Sequence, residues 1–377
     1  MKRARSRVAA PRGFTLIELM VALLISSLLV GMILAIFSRM SLAYRGQQQI
    51  AGVQQVLAAA RSTIELDAKQ AGLGIAQGFK TASTGATLQS PVRVINSSTG
   101  PDQIAFFYGD PSIQAAASAA QPSWPTQLAV DTVVGFVAGD LIVLTRPDTT
   151  NANQVDPSSA NVTTFTACVV RVASVGATSL AITSAAPWGW GGVGNGPCSV
   201  PGAGTMVYRF VAHAYRIDTT STARSALGAL QQSPTGGLLG NAEVWTDLAY
   251  GFSDIQVALR WYDNGAVDLD GDGDVRRNWY SSAAQTTMTS AATTLPVALL
   301  QMSLSLVAHT DRDVEGIATA QTPALTLASN TSNNAIGDRA ATVLPTAQPW
   351  PDPLLPGLRI YRYTTFQVDF RNLGVGQ

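Results

Sequence analysis

The residue with the clearest chemical potential is Glu18, a carboxylate near the start of an apolar run that extends to Phe37. A lone acid in such a run is costly in lipid, so it indicates a functional role. Phe14 stands four positions before it and directly follows Gly13. Here a small residue at a leader boundary, an aromatic residue and an acid five positions into the new chain stand together. This arrangement indicates processing followed by assembly and not plain anchoring.

The element that must position Glu18 is a long apolar helix with a basic leader. Residues 14–37 would span roughly 36 Å as helix, enough to cross a bilayer. The leader should stay in the cytoplasm and the rest of the chain should be exported. A cleaved secretory signal ending near Ser41-Leu42-Ala43 is an alternative, but the apolar run is too long and contains Glu18. A plain single-span anchor is the other alternative. The basic residues of the leader are Lys2, Arg3, Arg5, Arg7 and Arg12.

The stretch Gly13-Phe14-Thr15-Leu16-Ile17-Glu18 resembles the processing motif of type IV prepilins and related pseudopilins. The resemblance implies a cut between Gly13 and Phe14 by a membrane prepilin peptidase, followed by N-methylation of Phe14. It also implies that Glu18 pairs with the N-terminal ammonium of a neighbouring subunit, which offsets the cost of both charges in an apolar medium. A carboxyl group that is simply protonated in the membrane is the alternative for Glu18.

We expect one continuous helix over residues 14–71, with residues 14–37 in the membrane and residues 1–13 as the leader. Ser27, Gly31 and Ala35 recur every four residues, which lets helices approach closely in lipid unless the spacing is chance. Gly46 and Gly52 should weaken the helix locally. Its second half should pack on the head through apolar residues at helical spacing. These are Leu42, Ile50, Val53, Val56, Leu57, Ala60, Ile64 and Leu66.

Residues 72–377 form the predicted exported head. The chain has zero net charge, and only 13% of its residues are charged, so a nucleic-acid surface is not indicated. Stretches of low complexity, including residues 81–100, 148–161, 188–204 and 311–348, predict surface loops. Runs rich in β-branched and aromatic residues predict strands. These are Gln103–Tyr108, Thr132–Val137, Asp140–Thr145, Thr163–Val172, Ser179–Thr183, Thr205–Ile217, Ile255–Tyr262, Val297–Ala308 and Arg359–Phe370.

Several of these runs alternate apolar and polar residues, which predicts an antiparallel sheet with one buried face. In Ile255–Tyr262, for example, Gln256 and Arg260 should face away from the apolar side chains. A long helix laid on such a sheet gives an α+β, pilin-like fold.

Two patches of the head resemble minor pilins of the PilW type. The segment Leu248–Val257 is similar to a helix-to-strand segment of that family, and Tyr361–Asn372 is similar to its terminal strand, which closes with Arg-Asn. The resemblance is patchy and leaves residues 81–204 unplaced.

An acidic segment of the head could bind calcium. Alternating aspartates with a glycine turn supply the hard oxygens that calcium prefers and resemble the first half of a calcium loop. The match is incomplete, since Trp279 stands where an EF-hand needs a glutamate and Arg276 occupies another position at which a ligand is often found. The alternative is a solvated Asp-Gly turn. The candidate ligands are Asp268, Asp270, Asp272 and Asp274, with Asp263 and Asn264 as possible additions.

The two cysteines, Cys168 and Cys198, predict a disulfide in an oxidising compartment, with two unpaired thiols as the alternative. The two histidines, His213 and His309, have no cysteine or acid nearby at ligand spacing and are expected to be structural. Trp188, Trp190 and Trp279 are expected in core or loop packing. The sequence contains no signature of a hydrolase, phosphate loop or zinc protease, so no enzyme is expected.

The function that these patterns favour is a minor pilin that helps to prime or cap a type IV pilus. Its expected partners are the prepilin peptidase, other minor and major pilins and a tip adhesin. The expected location is the bacterial inner membrane, with the head in the periplasm, and the pilus after assembly. A type II secretion pseudopilin and a membrane-tethered binding module are the alternatives.

Overall fold

A computed structural model describes most of the predicted helix and much of the head. The described residues are 15–75, 78–81, 89–97, 100–119, 126–145, 167–183, 203–219, 228–239, 242–262, 268, 273–280, 299–311 and 360–370.

One long helix, α1, runs without interruption from Leu16 to Gln70. Its 55 residues correspond to roughly 82 Å at 1.5 Å per residue. Residues 15–41 are exposed, whereas the second half has one face buried against the head. The prediction of a continuous helix is therefore confirmed, with ends one or two residues inside the predicted bounds. The buried residues of that face are Gly46, Val53, Leu57, Ala60, Ile64, Asp67 and Ala68.

Near the C-terminal end of α1, the buried residues differ from those we predicted. Leu66, which we expected against the head, is 59% exposed, whereas Asp67 is only 5% exposed. Ile64 and Ala68 are fully buried four residues apart, and Asp67 lies between them on the same face. The helix therefore buries a carboxylate in a position where hydrophobicity alone would favour an apolar side chain.

The described head contains fourteen strands. They are β1 (Phe79–Thr81), β2 (Val92–Ile95), β3 (Gln103–Ala116), β4 (Gln127–Ala129), β5 (Leu141–Thr145), β6 (Ala167–Val175), β7 (Ser179–Ile182), β8 (Met206–Asp218), β9 (Ala229–Ser233), β10 (Thr246–Tyr250), β11 (Phe252–Tyr262), β12 (Arg277–Tyr280), β13 (Leu299–His309) and β14 (Tyr361–Asp369).

The strands form a large sheet of ten strands and a small sheet of four. The large sheet runs β10-β9-β8-β5-β6-β7-β4, with β3 also paired to β8, β2 to β3 and β1 to β6. The small sheet runs β12-β11-β13-β14. Within the described residues β1 and β6 are parallel and the other paired strands are antiparallel.

The second half of α1 packs on β13 and β14 of the small sheet and on β3 of the large sheet. The main core therefore lies between the helix and both sheets, and it includes Leu57 and Ile64 from the helix with Leu304 and Phe366 from the small sheet. Two further apolar clusters lie within the large sheet. This arrangement is α+β, with a long N-terminal helix on an antiparallel β-rich head, and it confirms the predicted fold class.

One predicted strand is wrong. Residues 132–137 form turns, with the N–H of Phe136 donating to the carbonyl of Val133 over 3.2 Å. Gly135, in the middle of this segment, has φ +87°, which an extended strand does not accommodate. The valines that suggested a strand instead surround a left-handed turn.

Two other segments contain strand residues that the sequence did not predict as strand. Residues 92–95, within a predicted loop, form β2, which pairs with β3. The segment Leu248–Val257, expected to pass from helix to strand, lies on two strands joined at Gly251, which has φ +87°. Both segments are short apolar stretches whose conformation is set by pairing with strands distant in sequence.

The small sheet alternates as predicted, but its polar face is buried on β11 and β13 and exposed on β14. Val257 and Leu304 lie in the core beneath the helix, while Gln256, Ser303 and Ser305 on the other face are each 1% exposed. The hydroxyl groups of Ser305 and Thr365 lie 2.7 Å apart on neighbouring strands, which satisfies part of that polar face. The expectation of a single buried face is therefore wrong for β11 and β13, whereas β14 exposes its polar side chains as predicted.

Candidate functional site

The first candidate site is the start of α1, where Glu18 forms a capping box with Thr15. The backbone N–H of Thr15 donates to Glu18 Oε2 over 2.9 Å, and the Thr15 hydroxyl donates to the same oxygen over 3.0 Å. In return, the N–H of Glu18 donates to Thr15 Oγ1 over 3.3 Å. Threonine at the N-cap with glutamate three residues later is the residue pair that this motif requires.

The capping box uses only one of the two oxygens of the Glu18 carboxylate. Oε1 has no hydrogen-bond partner among the described residues, and the Glu18 side chain is exposed. A carboxylate has lone pairs for several donors, so the helix start can accept a cationic group without first losing its internal bonds. The predicted assembly residue is thus both ordered and accessible.

The helix that carries Glu18 presents an apolar surface on all sides. Large apolar side chains from Leu16 to Phe37 are exposed, and the segment is long and apolar enough to cross a membrane. Ser27 donates its hydroxyl to the carbonyl of Leu24 over 2.8 Å, so it needs no water within an apolar medium. A Cβ placed at Gly31 would meet no atom within 4 Å, so its position in the single chain does not explain the glycine. A close approach by another helix on the face of Ser27, Gly31 and Ala35 stays a prediction.

Gly13 and Phe14, the predicted cleavage pair, lie outside the described residues. The described chain begins at Thr15, directly after them, as the N-cap of α1. Cleavage between Gly13 and Phe14 stays a prediction that rests on the sequence motif.

The second candidate site is a buried polar cluster around Asp67, near the other end of α1. Tyr108 on β3 donates its hydroxyl to Asp67 Oδ1 over 2.9 Å, and Tyr215 on β8 donates to Oδ2. The Nδ1 atom of His213, also on β8, lies 2.8 Å from Oδ2. Gln232 on β9 donates to the Tyr215 hydroxyl over 2.9 Å. One carboxylate therefore joins the helix to the large sheet, and we call these five residues the Asp67 cluster.

The surroundings of the Asp67 cluster raise the pKa of both phenols. Burial contributes most at Tyr108 and at Tyr215, and the negative charge of Asp67 adds to it in each case. Deprotonation would place a second negative charge beside the carboxylate in a medium of low dielectric constant. Both tyrosines therefore act as neutral donors, and the cluster has the character of a structural joint.

Backbone bonds strengthen this joint directly after the helix. The N–H of Gly72 donates to the carbonyl of Phe107 over 2.9 Å, and the N–H of Gly109 donates to the carbonyl of Leu73 over 2.7 Å. A Cβ at Gly109 would lie 2.7 Å from the Cβ of Tyr208, so only glycine fits this close approach. The chain leaving α1 is thus fixed to β3 by main-chain as well as side-chain contacts.

One feature of the sequence indicates the Asp67 cluster. Asp67 follows Ile64 by three residues and Ala60 by seven, so it lies on the apolar stripe of α1. An acid on that stripe indicates a buried partner, but its partners are distant in sequence. His213 is structural, as predicted, though it faces an acid brought to it by the fold. His309 is also structural, with Nδ1 2.8 Å from the Thr310 carbonyl oxygen.

The acidic segment lies in the connection between β11 and β12, where Asp268 and Asp274 are described. Asp268 Oδ2 accepts from the N–H of Gly273 over 2.8 Å, and Asp274 Oδ1 accepts from the N–H of Arg276 over 3.0 Å. No group of three or more His, Cys, Asp or Glu side chains that could hold a metal occurs among the described residues. Asp270, Asp272, Asp263 and Asn264 lie outside them. The two bonds fit an Asp-Gly turn, and calcium binding stays a prediction.

The remaining predicted site residues are only partly described. Cys168 is buried on β6, but Cys198 lies outside the described residues, so the disulfide stays a prediction. Trp188 and Trp190 also lie outside. Trp279 is half-buried on β12, with the Arg260 guanidinium carbon 5.9 Å from its ring centroid, which is a packing contact.

Comparison with known proteins places the clearest similarity at the helix start. Residues 10–34 match the family model described as the prokaryotic N-terminal methylation motif. No curated protein matches the sequence. Among solved structures, the type IV-like pilin TTHA1219 from Thermus thermophilus is similar, with 12% identity over 84% of this chain and 95% of that chain and a TM-score of 0.34. The chain therefore carries the prokaryotic N-terminal methylation motif at the start of a long apolar helix.

Proposed function

We propose that this protein is a minor pilin of the PilW type that takes part in priming or capping a type IV pilus. The observation that carries the proposal is the matched motif at residues 10–34, which places Glu18 at the start of an exposed apolar helix. The prepilin peptidase would cut between Gly13 and Phe14, and Phe14 would then be N-methylated. Until assembly the subunit would stay in the bacterial inner membrane, with its N-terminus cytoplasmic and its head in the periplasm.

Glu18 supplies the specific contact for assembly. In an apolar medium an isolated carboxylate is costly, and an isolated N-terminal ammonium is costly for the same reason. When the Phe14 ammonium of one subunit meets Glu18 of another, each charge replaces the solvation that the other has lost. Glu18 Oε1, which has no partner among the described residues, can accept this ammonium while Oε2 keeps its bonds to Thr15.

The head contributes contact surface in this proposal and carries no reaction. Two patches that resemble PilW-type proteins lie in the described head, one on β10 and β11 and one mostly on β14. The strands β11 and β14 flank β13 in the small sheet on which α1 packs. The resemblance thus includes part of the surface that joins helix to head. Neighbouring minor and major pilins, and a tip adhesin, are the partners we propose for it.

A type II secretion pseudopilin is the second candidate because it shares the N-terminal motif. The PilW-like patches favour the pilus. Deletion of the gene distinguishes the two candidates, since a minor pilin is required for surface pili and a pseudopilin for export of secreted proteins. A membrane-tethered binding module, the third alternative, would function without processing.

Processing and assembly are tested with two variants of the full chain in its host. Mass spectrometry of the wild-type N-terminus should show loss of residues 1–13 and one added methyl group on Phe14. Gly13→Ala should retain the leader and stay out of sheared pili. Glu18→Gln should be processed but fail to enter pili.

Glu65→Gln is the control for Glu18→Gln, because it removes the charge of a half-buried acid of the same helix that is paired only with Arg61 and Lys69 on that helix. It should be processed and assembled like the wild type. Normal incorporation of Glu18→Gln would contradict the assembly role, and normal function of unprocessed Gly13→Ala would favour the tethered binding module.

A further inference from the structure

The end of the exposed apolar helix carries two arginines and a tyrosine whose polar groups have no partner among the described residues. Arg39 and Arg45 have no ion-pair or hydrogen-bond partner among the described residues, and Tyr44 is 62% exposed. By contrast, Arg61 on the same helix is bonded to Glu65, and Arg209 on β8 to Asp110. Two unpaired guanidinium groups beside a long apolar surface indicate a partner outside this chain.

The three side chains surround the helix. At 100° per residue, Tyr44 lies about 140° and Arg45 about 240° around the axis from Arg39. A protein partner would contact one face of the helix, whereas lipid headgroups surround all of it. Guanidinium groups bind phosphate, and tyrosine prefers the membrane interface. The arrangement therefore fits the headgroup layer of a bilayer better than a single protein surface.

The vertical spacing slightly exceeds the thickness of this layer, a difference that long arginine side chains can cover. Arg45 lies about 9 Å beyond Arg39 along the helix, and a headgroup layer is roughly 5–8 Å thick on each side of the bilayer. The head begins directly above, since Leu42 is half-buried and Gly46 is buried. Arg39 would lie at the edge of the hydrocarbon and Arg45 at the outer edge of the headgroups.

The same spacing determines where Glu18 lies. Arg39 is 21 residues beyond it, about 31 Å of helix, and the hydrocarbon core of a bilayer is about 30 Å thick. With Arg39 at the periplasmic boundary, Glu18 reaches the cytoplasmic boundary. The carboxylate would then remain close to water in the unassembled subunit.

We propose that Arg39, Tyr44 and Arg45 form a collar that binds lipid phosphates of the periplasmic leaflet and sets the depth of the helix, so that Glu18 stays at the cytoplasmic interface. The inference rests on the membrane anchoring in the proposed function. It adds a depth-setting surface and a lipid partner. Assembly would then have to draw Glu18 out of the interface and into contact with another subunit.

The collar is tested on the full chain in vesicles of phosphatidylcholine and phosphatidylglycerol. A p-azidophenylalanine in place of Ser41 or Met20 is coupled to a fluorescent probe, which leaves both cysteines unchanged. Quenching by lipids with a nitroxide on the headgroup or in the middle of the acyl chain reports the depth of each probe. In the wild type, headgroup nitroxide should quench the probe at position 41 more strongly than acyl-chain nitroxide does.

The variant Arg39→Leu/Arg45→Leu should let the helix sink by up to about 9 Å, the rise of six residues. The probe at position 41 should then be quenched mainly from the acyl chain, and the probe at position 20 should move toward water. Arg39→Lys/Arg45→Lys should keep the wild-type depth, because lysine also extends its charge to the interface. Arg276→Leu/Arg277→Leu is the control with the same change in net charge, at two exposed positions where the β11–β12 connection meets the start of β12.

Equal quenching profiles for the leucine variant and its control would overturn the collar while leaving the pilus proposal in place. Wild-type probes that no nitroxide lipid quenches would overturn both the collar and the membrane anchor. The assembly role is tested in a different experiment, by the Glu18→Gln variant in cells. The two proposals can therefore fail independently.

Discussion

The two ends of α1 each carry a carboxylate, and they are used in opposite ways. Glu18 is exposed and is bonded only to Thr15, three residues away in its own helix. Asp67 is 5% exposed and accepts from side chains more than 40 residues away in sequence. The first acid has one oxygen with no partner among the described residues, which our proposal assigns to another subunit, while the second joins two parts of its own chain. An acid in an apolar stretch of helix can therefore have either of two structural roles, and the residues around it in the fold determine which one it has.

The difference divides the helix into an anchor and a lever. The anchor, residues 15–41, has no contact that buries it, so its stability in water comes from the helix itself. The lever, residues 46–70, is packed on both sheets and fixed at its end by the Asp67 cluster and by backbone bonds to β3. The two parts of the helix therefore differ in what stabilises them: the anchor depends on its own backbone bonds, and the lever depends on packing against the head.

The largest expected effect is the loss of the carboxylate at the joint. Asp67→Ala leaves two buried phenols and an imidazole without their shared acceptor, and we expect it to lower the free energy of unfolding by about 3–5 kcal/mol. Urea unfolding of the full chain in detergent, followed by tryptophan fluorescence, measures this. Glu65→Ala is the control on the same helix. It removes the surface pairs with Arg61 and Lys69 and should cost less than about 1 kcal/mol. Equal costs for the two variants would contradict the contrast between joint and surface.

The next test concerns which side of residues 46–70 packs against the head. Ile64→Ala opens a cavity at a fully buried position and should cost about 3 kcal/mol, whereas Leu66→Ala at a 59% exposed position should stay within about 0.5 kcal/mol. The same urea titration gives both values. A larger cost at Leu66 than at Ile64 would mean that the face predicted from hydrophobicity alone is the packed one.

The sequence was sufficient for the parts of the fold that depend on local pattern. The apolar run and its length predict a helix that begins near Phe14 and continues past Gly46. Alternation in Ile255–Tyr262 predicts a strand with the correct inward side chains. These features follow from residues close together in the chain, and the structure confirms them.

The predictions that were wrong concern features that depend on contacts between residues far apart in the sequence. The burial of Asp67 instead of Leu66 requires hydroxyl donors from β3 and β8, which no local pattern identifies. The strand β2 exists because β3 pairs with it, and the polar face of the small sheet is buried on β11 and β13 although its residues are hydrophilic. In each case tertiary contacts overrode composition.

The raised pKa values at the joint predict a loss of stability in alkali. The unfolded chain releases tyrosine protons near pH 10, while Tyr108 and Tyr215 keep theirs in the folded chain. Above about pH 10 the unfolded state therefore binds fewer protons, and the free energy of unfolding falls by up to about 1.4 kcal/mol per pH unit for each tyrosine. Below that range the contribution of both groups is fully present.

Substitution of Tyr215 should separate the stability that its hydrogen bond contributes at neutral pH from the stability that is lost in alkali. Tyr215→Phe should cost about 1–3 kcal/mol at neutral pH through the lost bond to Asp67, and it should also reduce the alkaline slope. Unfolding measured as a function of pH, with the ultraviolet absorbance of tyrosinate as a second signal, reports both. Tyr363→Phe, at a 46% exposed position, should change neither. An unchanged slope in Tyr215→Phe would mean that this phenol titrates freely and is not held by the joint.

The smallest expected effect lies at the anchor end. Thr15→Ala removes the N-cap and should destabilise the first turn by about 1 kcal/mol, whereas Thr15→Ser keeps the hydroxyl and should not. Because this turn packs on nothing in the described chain, the change should speed amide hydrogen exchange of residues 17–19 about fivefold and leave urea unfolding of the head unchanged. Asp67→Ala should do the reverse, with weaker urea resistance and normal exchange at the first turn. If Thr15→Ala weakened the head, or if Asp67→Ala loosened the first turn, the two carboxylates would belong to one cooperative unit. The separation between anchor and joint holds only if each substitution affects its own end.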